Sequence, residues 1–398
     1  MKVISPSKLR EALKNRALLG KLFLPVLVLL ISVALVSGCT GMATIARGWS
    51  GGVVVGDILY LGSMEGNLVT IRTSDGARLW SVSLETVASS GGFGCASGST
   101  SVAIYGAPAV VSSTVDGEVE YTVYVAGYNG RLYAFDYGKS DWKWVYPRDT
   151  VLGSIVGSPV VAGDRVYFAS GNGQVYALEA EGLFLVWEFE TGGKIWSTPA
   201  IDGETLFVGS FDKKLYALDT NDGSQRWNFE TGGAIVTTPV VYDGTVYFGS
   251  FDRCLYAVDI SSGEELWRFP ADDAESEPGN WFWANPVIYD GVIYAPCLDG
   301  KVYALDVADG ALLVAFDLGS PVSSSPVVSG DAIIVATEGG SIYALNIAGS
   351  QQWELARLEE KIRAALTESE GFVYIHTAKD SLYALDVASG ALREFSIK

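Results

Sequence analysis

The chain holds one histidine, His376. That count excludes a His-based metal cluster, and a Ser-His-Asp triad could draw only on this residue. His376 ends a short apolar run at a place where a sister segment carries Gly209, which is where a packed or solvated side chain belongs. The carboxylates that recur most regularly are Asp136, Asp219, Asp259, Asp306 and Asp386, each closing a similar phrase just before a turn. An active site is built once, so recurrence marks these acids as structural. The four cysteines, Cys39, Cys95, Cys254 and Cys297, include no adjacent pair, and no phosphate-loop pattern occurs. These residues predict no catalytic site, no metal and no cofactor.

The elements that position these residues are repeats. Tyr133-Ala-Phe-Asp136 returns, slightly varied, at Tyr176, Tyr216, Tyr256, Tyr303, Tyr343 and Tyr383, with an eroded copy at Val69 to Arg72. The step is 40 residues in four of six intervals, 43 and 47 in the others. A period near 40 with several short strands in each copy is the signature of a propeller blade, and eight copies predict eight blades. Within Ser158 to Glu190, four β-rich runs are separated by Gly163-Asp164, by Gly171-Asn172-Gly173 and by a turn before Leu183, as a four-stranded meander requires. The runs are apolar at nearly every position. That pattern fits sheets covered on both faces by neighbouring sheets.

A stricter phrase follows each third strand. Ala217-Leu-Asp219 leads to Gly223 and Trp227, and Ala257-Val-Asp259 leads to Gly263 and Trp267. Asp suits the turn amides, Gly suits positive φ, and Trp suits a wedge between blades. The tryptophan recurs ten residues on at Trp80, Trp144 and Trp187 and nine on at Trp353, while Val314 and Glu394 stand in its place in blades 6 and 8. This phrase resembles the tryptophan-docking motif of quinoprotein-type (PQQ-like) eight-bladed propellers. The resemblance implies an all-β, eight-bladed β-propeller of four-stranded antiparallel blades over residues 51–398. The motif is a packing device that carries no chemistry.

Residues 1–38 read as a lipoprotein signal. Six basic residues and one acid precede the apolar stretch Leu22 to Val36, and Val36-Ser-Gly-Cys39 resembles a lipobox. The resemblance implies cleavage before Cys39, lipidation of Cys39 and a tether over residues 39–50. The protein would then be extracytoplasmic and held at a membrane, on the periplasmic leaflet of an outer membrane if one exists and at the cell surface otherwise. With 27 basic and 46 acidic residues the chain is strongly acidic, which argues against nucleic acid as a partner. Three cysteines remain after lipidation. Cys254 and Cys297 fall near hairpins of adjacent blades, leaving a bridge between them open, and Cys95 reads as a free thiol.

Insertions gather in the crossovers between blades, at Ser83 to Tyr105, Tyr146 to Gly157 and Asp272 to Trp283. These emerge at the same end as the hairpins between second and third strands, so one face is the candidate partner surface. Aligned hairpin tips place Phe211, Phe251 and Leu298 side by side in blades 4 to 6. The crossover into blade 6 adds Trp281, Phe282 and Trp283 beside Asp272, Asp273, Glu275 and Glu277. This aromatic run either faces a protein partner or folds inward and plugs the channel.

The signal, the blades and the empty catalytic inventory together resemble the BamB family of outer-membrane assembly lipoproteins. That resemblance implies a monomeric, non-enzymatic scaffold that binds a β-barrel assembly protein. The long crossover between blades 1 and 2 and the acidic Trp-bearing loop are not matched to that family. Two alternatives stand beside it. One is a PQQ-dependent dehydrogenase, which the short chain and missing cysteine pair disfavour. The other is a cell-surface propeller that binds carbohydrate or peptide.

Overall fold

The computed structural model describes residues 48–84, 87–88, 99–100, 102–115, 118–139, 141–271, 278–346 and 351–397. Cys39 and the expected signal, Cys95 and the acids of 272–277 lie outside them. Eight four-stranded antiparallel sheets follow one another along the chain, each a meander, and among the described residues there are no helices. Blade 1 runs from Gly52 to Ser83 and blade 2 from Ala109 to Tyr146. Blades 3 to 8 begin at Val160, Ala200, Val240, Val287, Val327 and Thr367, and blade 8 ends at Phe395. The blades all belong to one compact unit, Ala46–Val87 with Ser101–Lys398. The all-β eight-bladed architecture expected from the repeats is the one observed.

Burial follows position within the blade. Second and third strands are covered along their length, as in Thr205–Gly209 and Lys214–Asp219, whereas the fourth strand Gln225–Glu230 is largely exposed. The cores lie between blades. One cluster joins Val208 and Leu218 of blade 4 to Val175 and Ala177 of blade 3, and another joins Phe207 and Ala217 of blade 4 to Phe248 and Val258 of blade 5. Each sheet therefore gives one face to each neighbour.

The docking phrase has a two-blade meaning. Ala177, Ala217 and Ala257 pair across strands with Trp187, Trp227 and Trp267. Each indole Nε1–H donates to a turn carbonyl of the following blade: Trp187 to Thr220 (2.9 Å), Trp227 to Ile260 (2.9 Å) and Trp267 to Val307 (3.1 Å). Gly223, Gly263 and Gly310 sit under those rings with φ between 72° and 74°. A Cβ on Gly263 would lie 2.7 Å from the Trp227 ring. The glycine thus serves both the turn and the close approach of its neighbour's indole.

The ring closes without exchanging a strand. Every strand of blade 8 comes from the C-terminal end of the chain and every strand of blade 1 from its N-terminal side, so closure rests on side chains. Leu59, Leu61 and Ile71 pack against Leu382, Phe395 and Ile397. Cross-strand pairing puts Arg393, not Glu394, opposite Ala384 where other blades carry tryptophan. The register in this last hairpin is one residue shorter than in blades 3 to 5. Arg393 donates to the carbonyls of Ser74 (3.0 Å) and Asp75 (2.6 Å), and Phe395 fills the space over Gly76.

His376 also belongs to this seam. It is 3% exposed, and its Nδ1 lies 3.0 Å from the Ser50 carbonyl, 326 positions away in sequence. Nε2 lies 2.9 Å from Asp380 Oδ1, which also accepts the Met64 N–H at 2.9 Å. In blades 4 and 5 the N–H at the Met64 position donates instead to a backbone carbonyl of the preceding crossover, Phe211 to Lys194 and Phe251 to Ala234. At the seam Asp380 takes over that acceptor role.

Two stability measurements follow. Gly263→Ala forces a side chain into a positive-φ turn and against Trp227, so it should cost about 1–3 kcal/mol and lower the calorimetric transition. Asp380→Ala leaves the Met64 N–H without its acceptor and removes the group that faces His376 Nε2, and a loss of about 1–3 kcal/mol is expected in denaturant unfolding.

Candidate functional site

Each crossover, like the segment leading into blade 1, runs to an innermost strand and carries at least two residues that line the central channel. The inner ring consists of Gly51, Ala107, Ser158, Thr198, Thr238, Asn285, Ser325 and Ala365. Two residues earlier in each crossover lies the mouth ring. It is aromatic at Trp49, Tyr105, Trp196 and Trp283, aliphatic at Val156 and Val236, and polar at Ser323 and Arg363. Together the rings enclose a cavity of about 370 Å³. The inner ring is stitched from blade to blade. The Ala107 N–H donates to Ser158 Oγ (2.8 Å), Ser158 N–H to Thr198 Oγ1 (2.8 Å), Thr238 N–H to Asn285 Oδ1 (2.7 Å) and Asn285 N–H to Ser325 Oγ (3.1 Å).

Beside this mouth, blades 4 to 6 build an aromatic platform. Trp196 meets Phe211 edge-on at 4.7 Å between centroids, and Phe211 meets Phe251 at 6.3 Å. Phe251 stacks with both Trp281 (4.6 Å) and Trp283 (5.7 Å). A smaller aromatic arc, Trp49, Tyr105 and Tyr128, occupies blades 1 and 2. Arg363 lies over the Trp49 ring at 5.6 Å and contacts Glu338 at 3.3 Å.

The platform stands on a repeated support. Asp212 Oδ2 accepts the Gly192 N–H (2.6 Å) and the Tyr216 hydroxyl (2.7 Å), and Asp252 and Asp299 do the same for Tyr256 and Tyr303. Burial, reinforced by the hydrogen bond to Asp212, pushes the Tyr216 phenol up to about 12; Tyr256 and Tyr303 are raised for the same reasons. Each of these three carboxylates accepts a main-chain amide and a tyrosine hydroxyl, a packing role repeated from blade to blade. The Trp-bearing crossover is pinned to blade 6 by the Leu298 N–H to the Trp281 carbonyl (3.1 Å) and by Cys297 Sγ, 3.3 Å from the Asn280 carbonyl.

Of the residues singled out in sequence, Phe211, Phe251, Leu298 and Trp283 are half-buried on this face, and Trp281 is 43% exposed. Phe282 departs from the expectation. It is 1% exposed and packs against Tyr303 and over Gly249, between blades 5 and 6. Side chains alternate along an extended segment, so two indoles turned to the mouth send the ring between them inward. The run therefore neither presents three rings nor plugs the channel with three. Trp196 is not a hairpin tip, so the register of the tips does not reveal it. It occupies the same crossover position as Trp283, and aligning crossovers would have found it.

Cys254 and Cys297 are not bridged by a disulfide. Among the described residues no three His, Cys, Asp or Glu side chains converge to hold a metal ion.

The geometry of eight PQQ-like blades meets its counterpart in known proteins. The family model described as outer membrane protein assembly factor BamB matches residues 40–182 and 184–391. The chain belongs to the BamB family. Among solved structures, BamB from Moraxella catarrhalis superposes with a TM-score of 0.66 at 19% identity, covering 84% of this chain and 95% of that one. A computationally designed protein, Ika8, superposes with a TM-score of 0.65 at 13% identity over 88% and 97% of the two chains. At these identities the structural likeness concerns the fold alone, and the designed protein shares it as fully as the BamB does. No curated protein matches the sequence.

Burial pushes the Cys297 thiol up to about 12, and the thiolate is the reactive form. At pH 8, iodoacetamide should leave Cys297 unmodified in the folded protein and label it only on unfolding, with half-buried Cys254 reacting first. Peptide mapping by mass spectrometry checks the order.

Proposed function

We propose that this protein is a non-enzymatic scaffold, tethered outside the cytoplasm by lipid on Cys39, that holds protein partners on its channel-mouth face. Its role would be that of a BamB-like factor in outer-membrane β-barrel assembly, with a β-barrel assembly protein as the partner. The observation that carries this reading is the platform of Trp196, Phe211, Phe251, Trp281 and Trp283. Five rings from three blades gather on one face and are fixed from below by the Asp–Tyr supports. Large rigid rings that are partly exposed and preorganised are the residues that dominate protein interfaces. Membership of the BamB family supports the scaffold role. The carboxylates that recur around the ring are occupied by turn amides and tyrosines, which supports the absence of catalysis.

Affinity capture of the lipidated protein from its native membranes, read by mass spectrometry, tests the proposal. A β-barrel assembly protein should be recovered with the wild type. It should be depleted at least ten-fold with the Phe251→Ala/Trp283→Ala double variant, the scale of one interface hot spot. The thermal transition of the variant should stay within a few degrees of wild type. Equal capture by both proteins would remove the platform from the interface. Recovery of the wild type alone, with no assembly protein, would remove stable membership of that machinery.

A further inference from the structure

The inner ring of the channel carries hydrogen-bond donors that no described protein group takes up. Ser158 Oγ, Thr198 Oγ1 and Ser325 Oγ each use a lone pair to accept an N–H from the preceding blade. The hydrogen of each hydroxyl then has no acceptor among the described residues. Asn285 is oriented by the same logic. Its Oδ1 accepts the Thr238 N–H at 2.7 Å, which fixes the amide and leaves both hydrogens of the NH₂ unused. These four donor-bearing residues come from blades 3, 4, 6 and 7 and line one cavity of about 370 Å³.

The rim adds a cation. Arg363 Nη2 contacts Glu338, but its buried Nε has no hydrogen-bond partner among the described residues. Glu338 also faces Lys361 at 3.8 Å, so one carboxylate stands between two positive groups. Above the donors, the mouth is apolar at Val156 and Val236 and aromatic at Trp49, Trp196 and Trp283.

We propose that the channel mouth is a binding site for a carboxylate carried on an apolar body. A carboxylate brings two oxygens with about four lone pairs and no donor of its own, which suits a ring of donors on several blades. The Asn285 NH₂ and the Arg363 guanidinium are donors only, which favours an anionic acceptor over a neutral sugar whose hydroxyls donate as much as they accept. The apolar body lies against the indoles and valines of the mouth. The volume suits a ring-bearing acid or the last residue or two of a polypeptide, and excludes a folded domain. The site does not depend on the scaffold role, since it is complete within one chain and is tested without any partner.

The test is titration calorimetry on the purified full-length chain with N-acetyltryptophan, N-acetyltryptophanamide and the peptide Gly-Gly-Gly-Gly-Trp with a free C-terminus. The acid should bind about ten-fold or more tightly than the amide, the scale of one lost charge-assisted hydrogen bond. Asn285→Asp keeps an oxygen for the Thr238 N–H and replaces the NH₂ donors with a second carboxylate oxygen. It should weaken acid binding about ten-fold or more, with the thermal transition within about 2 °C of wild type. Arg363→Gln should weaken it in the same direction and serves as the second variant if Asn285→Asp does not fold. Tighter binding of the peptide than of the small acid assigns the site to chain ends, and equal binding assigns it to free acids; both support the site. Equal affinity for acid and amide, no binding of the acid at about 10 mM, or unchanged binding by a folded Asn285→Asp would each overturn the proposal.

Discussion

Each blade is a sheet with two apolar faces, and neither face can be hidden by the blade itself. The second and third strands are buried only because a neighbouring sheet stands on each side. Apolar burial contributes roughly 25 cal/mol per Å², so an open array would leave its two terminal faces wet. Closure into a ring is the arrangement that removes both. The recurring tryptophan sets the spacing between blades, because its ring stands on the next blade's glycine and its N–H reaches the next blade's turn.

The seam between blades 8 and 1 has to achieve the same contacts between blades that are not consecutive along the chain. It does so with different residues. Arg393 and Phe395 divide the work of one tryptophan, with the guanidinium taking the turn carbonyls and the phenyl ring taking the glycine. Asp380 substitutes for a backbone carbonyl, and His376 ties Ser50 to the last blade. The single histidine of the chain is thus a closure residue. Its burial and its two oxygen neighbours give it a structural task.

The channel-mouth face inherits its properties from the same ring. Blade-to-blade hydrogen bonds engage Ser158, Thr198, Asn285 and Ser325 as acceptors, and the Asp–Tyr supports engage the carboxylates beneath the hairpin tips. What remains for a ligand or partner is aromatic surface, hydroxyl and amide donors, and Arg363. A protein with an overall acidic composition therefore presents donor groups in its channel.

The repeat period, the strand and turn pattern and the docking phrase are local, and they determine the eight blades from the sequence alone. Tip residues Phe211 and Phe251 were legible for the same reason, since their place in the repeat fixes their place on the face. Three features were decided only by tertiary structure. Phe282 turned inward while Trp281 and Trp283 did not, because its side was set by the sheet of blade 5 beneath it. Arg393 replaced Glu394 at the docking position because the last hairpin pairs one residue shorter. His376 met Ser50 across 326 positions because the ring brings the two ends of the chain together. A repeat specifies what each unit looks like, whereas closure and the crossovers bring together residues whose spacing in sequence carries no signal.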